Sequence, residues 1–161
     1  MGDVDGRSLE ESKAFGDEVQ GKSVAERYPQ YYFYERWPVV FVRTPEGGLE
    51  CLALSPKTGG FERDMSYYRK ILFGTTADID TVTRDEFIQR VEALRRKRLK
   101  GEGPVFALYE TIKAMQQKIL GAGRRITPEE KALIHALQVR THKLFEAELR
   151  AQGLRGMPEE S

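Results

Sequence analysis

The sequence predicts an α+β fold: a small antiparallel β-meander packed with helices, ending in an antiparallel helical hairpin. Three observations carry this reading. β-Branched and apolar runs, separated by turn residues, occupy positions 38–63. Beyond residue 64 the apolar spacing changes to the three-and-four period of a helix. Gly121-Ala122-Gly123 then cuts the last long pattern in two, so its halves should pair side by side. The 161 residues form one domain, 1–161, in which 8–74 hold a helix plus sheet and 83–151 are helical. Residues 1–7 and 153–161 read as flexible tails, rich in glycine, proline and charge.

Residues 8–28 open with Ser8 and Glu11 at capping-box spacing, which predicts a short helix weakened by Gly16 and Gly21. Tyr31 to Tyr34 are a strand or the approach to one. Pro38 to Arg43 are apolar on both faces and so belong to an inner strand. Thr44 to Gly48 form a turn, Leu49 to Leu54 the return strand, and Ser55 to Gly60 a second turn before a short strand at 61–63. A helix over 65–73 stops at Gly74. Thr83 and Glu86 start the next helix, whose apolar face is Phe87, Val91 and Leu94. Leu108, Ile112, Met115 and Ile119 line the first arm of the hairpin. Thr127, Pro128 and Glu130 start the second, which carries Leu133, Leu137 and Leu144.

Composition removes several classes. No stretch has the roughly 18 apolar residues of a membrane helix, and the acidic start Met1 to Gly6 lacks a signal-peptide pattern. A cytoplasmic protein without membrane contact is expected. Cys51 is the only cysteine and lies in an apolar run, as a core thiol in a reducing compartment does. The net charge of +1 is unevenly spread, with seven acids against four bases in residues 1–29 and the reverse bias in 84–100.

Catalytic signatures are sparse. Gly16 to Ser23 match the phosphate-loop pattern, but no buried strand precedes them. Pro29 cuts short the following helix, and Asp17 and Glu18 would repel phosphate. We read the match as chance, which leaves a nucleotide-binding enzyme as a remote alternative. His135 and His142 lie seven apart on one helix, about 10.5 Å at 1.5 Å per residue, too far to share a metal ion. No catalytic set, metal site or cofactor is expected.

Two features point to binding. Tyr28, Tyr31, Tyr32, Phe33, Tyr34 and Trp37 fall within ten residues. In a strand, Tyr31 and Phe33 face one way and Tyr32 and Tyr34 the other, so one set is core and the other is surface or lies beneath a helix. Tyr31, Tyr32, Tyr34 and Trp37, with Arg36 and Arg43 at the rim, are therefore candidate contacts for a partner protein. Arg95, Arg96, Lys97, Arg98 and Lys100 form a basic run at a helix end, where cations also complement the helix dipole. They are candidate contacts to phosphate or to an acidic partner, and a nucleic-acid-binding regulator is the alternative function.

The stretches Trp37 to Arg43, Asp64 to Tyr68 and Asp85 to Glu92 resemble small bacterial toxin-immunity proteins in their sheet meander followed by short helices. The resemblance covers roughly residues 30–100. It implies a non-enzymatic inhibitor that binds one cognate toxin and blocks its active site.

Overall fold

The computed structural model describes residues 27–74 and 76–160. The expected helix over 8–28 and the phosphate-loop pattern at 16–23 lie outside the described residues, apart from Arg27 and Tyr28, which are not helical.

The chain is α+β. One antiparallel sheet holds β1 (Gln30–Tyr34), β2 (Trp37–Arg43), β3 (Leu49–Leu54), β4 (Phe61–Arg63) and β5 (Ile79–Val82), in the order β4-β3-β2-β1-β5. The expected meander is its larger part. β2 is central, which is why its residues are apolar on both faces: Val40 is buried on one and Val39 and Phe41 on the other. The short helix α1 (Ser66–Leu72) crosses one face, packing Tyr67, Tyr68 and Ile71 over Val39, Phe41 and Cys51. It takes the chain from the β4 edge to β5 at the opposite edge. β5 has no counterpart in the sequence reading. Its four residues include the exposed Asp80 and Thr81, so it carries no apolar alternation, and only pairing with β1 makes it a strand.

Three long helices follow: α2 (Arg84–Arg98), α3 (Pro104–Gly121) and α4 (Pro128–Ala151). Thr83 and Thr127 cap α2 and α4 by accepting from Glu86 N and Glu130 N, and Thr127 with Glu130 completes a capping box. α2 covers the second face of the sheet, where Phe87 and Val91 meet Tyr31, Phe33, Leu52 and Phe61. Contacts pair Asp85 with His135, Gln89 with Gln138, and Arg95 with Glu146, so α2 and α4 run in the same direction. α3 packs on α4 through Val105, Tyr109, Phe145 and Leu149.

The buried stripes of the hairpin differ from those the apolar spacing predicts. On α3 the buried residues are Val105, Tyr109 and Ile112. On α4 they are Ile134, Gln138, Thr141, His142, Phe145, Glu146 and Leu149, while Leu133 is 49% exposed. Four of those seven are polar, so hydrophobicity alone cannot locate the inner face.

The expected mobile tail at 153–161 also needs correcting. Met157 is buried in the core, its N–H donates to Glu146 Oε1 at 2.9 Å, and Phe61 N donates to Arg155 O at 2.9 Å. The segment closes over the β4 edge of the sheet, where an unpaired ladder would otherwise be left open. Among the described residues no helix is long and apolar enough to cross a membrane.

Candidate functional site

The sequence candidates separate into core, surface and network residues. Tyr31 is buried. Its ring lies 5.0 Å from Phe87 and its hydroxyl accepts from Arg84 Nη1 at 2.8 Å, and burial pushes its phenol up. It is core, not a partner contact. Tyr32 is half-buried on the α1 face, against Phe41, and its hydroxyl donates to Gln30. The alternation of β1 thus fills both faces of the sheet, because each face has a helix to receive it. Arg43 is exposed, spans the β2–β3 turn to Gly47 O and lies 4.8 Å from the Tyr28 ring.

Tyr34, Arg36 and Trp37 come together at the β1–β2 turn. Tyr34 pairs with Trp37 in the ladder, leaving Glu35 and Arg36 as a two-residue turn. Both are left-handed, at φ 47° and 72°, although neither is glycine. Such a conformation costs an ordinary side chain roughly 1–2 kcal/mol. Glu35 N donates to Asp78 O at 2.8 Å, tying the turn to the loop that leaves α1. Tyr34 meets Tyr67 edge-on at 5.5 Å, and Lys70 covers both rings. Trp37 donates from Nε1 to Leu54 O at 3.0 Å and carries Arg98 over its ring at 5.0 Å. Trp37, Leu54, Pro56, Asp64 and Tyr67 line a groove of about 370 Å³. At the end of α1, Phe73 is 77% exposed and Leu72 is 48% exposed. The spacing of apolar residues in α1 gave no sign that these two would face solvent.

The basic run is divided. Arg95 and Arg96 are buried, and only Lys97, Arg98 and Lys100 remain exposed. Arg95 donates from Nε and Nη2 to Gly59 O at 2.9 and 2.6 Å, from Nη1 to Glu92 at 2.9 Å, and from Nη2 to Glu146 at 2.9 Å. Its guanidinium also stacks over Phe145. Arg96 donates to Gln138 at 2.6 Å. These two arginines were candidate contacts to phosphate or an acidic partner. The fold uses them internally, since a buried guanidinium is tolerated only when its donors are matched.

Glu92 is fully buried at the centre of this network. It accepts from Arg95, from Tyr109 Oη at 2.8 Å and from Thr141 Oγ1 at 2.6 Å. Burial alone pushes its carboxyl up, but His142, the Arg95 guanidinium and the Thr141 hydroxyl more than offset that. They hold it below the ordinary carboxylate range. His142 Nδ1 lies 3.8 Å from Glu92 Oε2, too long for a hydrogen bond, and has no hydrogen-bond partner. His135, by contrast, is an exposed partner of Asp85. Among the described residues no group of His, Cys, Asp and Glu is arranged to hold a metal ion. Cys51 is buried, and burial raises its thiol to about 12.

No protein-family model, curated protein or solved structure matches this chain.

Proposed function

We propose that this chain is a non-enzymatic binding module that engages a partner protein at the β1–β2 turn. The observation that carries the proposal is the aromatic ridge there. Two adjacent non-glycine residues in the left-handed conformation stand beside a tryptophan-lined groove, and α1, whose Lys70 covers Tyr34, ends in the highly exposed Phe73. Backbone strain persists only where the surroundings over-determine it, and such strain concentrates at functional positions. Tyr and Trp held in place by Lys70 and Arg98 lose little side-chain freedom on docking, which suits them as anchors. Phe73 would enter an apolar recess of the partner, and Arg36 would meet a carboxylate at its rim.

The finer reading is an immunity-type inhibitor whose partner is a cognate toxin. It rests on the resemblance in residues 30–100 and predicts a toxin domain encoded beside this chain. The buried, single Cys51 thiol is in keeping with a cytoplasmic setting.

The test is site-specific photocrosslinking from positions 36 and 73, with position 140 of α4 as control, in cells that encode the chain. One protein crosslinked from 36 and 73 and absent from 140 is the expected result. Phe73→Ala and Arg36→Ala should then weaken binding of that purified protein at least thirtyfold together, about 2 kcal/mol. Equal crosslinking from all three positions, or unchanged affinity in the folded variants, moves the interface elsewhere.

A further inference from the structure

A second feature shares no residue with that surface. A cavity of about 670 Å³ lies between the start of α2, one face of α4 and the C-terminal segment. Val139, His142, Lys143, Glu146 and Arg150 recur at helical spacing along its α4 wall. Glu146 is offset only in part, since it shares the Arg95 guanidinium with Glu92 while its other oxygen accepts from Met157 N. Arg155 is drawn off to Glu50 at 3.0 Å. The other charges that face the space are Arg84, Lys143 and Arg150 against Glu159 and Glu160. His142 is 8% exposed, and its Nδ1 faces the buried Glu92 carboxylate without a hydrogen bond. That orientation leaves Nε2 as the ring atom for the cavity.

The geometry points to a binding site for a small multivalent anion, a phosphate or polycarboxylate compound, held by Lys143 and Arg150 at the rim and by His142 at the floor. Glu92 lies behind the imidazole, 3.8 Å from Nδ1, and its negative charge favours a protonated ring there. Glu159 and Glu160 supply negative charge to the same cations and so compete with the ligand.

The chain has only two histidines, which makes the test direct. Inorganic phosphate and citrate are titrated separately at fixed pH and ionic strength, against chloride, while imidazole carbon–proton resonances are followed by NMR. His142 should shift saturably with at least one of them, while His135, paired with Asp85 on the surface, stays put. The probe that saturates tells phosphate from carboxylate chemistry. Lys143→Gln with Arg150→Gln should weaken that binding at least tenfold, and Glu159→Gln with Glu160→Gln should tighten it severalfold. The proposal is overturned if neither anion moves His142 saturably, if both histidines drift together, or if the Lys143 and Arg150 variant binds as tightly as the native chain.

Discussion

Arg95 shows how one residue can carry the opposite meaning to its sequence neighbourhood. In a basic run it reads as surface, yet it joins the β3–β4 turn, α2 and α4 through Gly59 O, Glu92 and Glu146. Such a network is stable only when complete, since removing one partner leaves an uncompensated charge in a dry site. Glu92→Gln is therefore expected to lower stability at neutral pH by roughly 3 kcal/mol, measured by urea unfolding. The pH dependence follows from the depressed carboxyl of Glu92. A carboxyl lower in the folded than in the unfolded chain stabilises the fold above its unfolded value. That contribution is lost as the pH falls towards the folded value. The native protein should lose this increment below about pH 4.5, and the Glu92→Gln variant should show a shallower acid decline over the same range.

Among the elements, the β1–β2 hairpin is the least expected. Two-residue hairpin turns of this hand favour Asn-Gly, because both positions are left-handed. Glu35 and Arg36 occupy them instead. Replacing Glu35 with Asn and Arg36 with Gly should raise stability by about 1 kcal/mol, read as an increase in the urea midpoint with an unchanged slope. No gain would mean that the turn is not strained, which would remove the main support for a docking role there. α2 offers a second contrast. The basic run at its end keeps only Lys97, Arg98 and, just beyond the helix, Lys100 exposed, and Arg98 is seated on Trp37. That is a small footprint for tracking a phosphate backbone, which favours a protein partner over nucleic acid.

At the scale of the whole molecule, the C-terminal segment fastens sheet and helices together. Arg155 O accepts from β4, Met157 enters the core, and Pro158 O accepts from Arg84 at the start of α2. The path is tightly specified. A Cβ at Gly156 would collide with Glu146 Oε1, and one at Gly60 would lie 2.6 Å from Arg155 O. Deleting residues 153–161 should cost roughly 3 kcal/mol, the burial of one methionine plus two or three hydrogen bonds. Thermal and urea unfolding of the truncated chain check this; an unchanged midpoint would show that the segment is a tail after all.

The sequence by itself determined the α+β class, the inner strands β2 and β3, the caps at Thr83 and Thr127, and the two-faced alternation of Tyr31 to Tyr34. All of these rest on local causes: side-chain period, turn chemistry and capping within three or four residues. Only the tertiary structure decided that β5 is a strand, that Tyr31 is core, and that Arg95 and Arg96 turn inward. It alone revealed that Phe73 stands out in solvent and that α4 buries Gln138, Thr141, His142 and Glu146. The physical reason is distance along the chain. Arg95 is satisfied by groups 36 and 51 residues away, and Glu92 by a hydroxyl 49 residues away. A polar residue is legible as interior only once its partners have been folded against it.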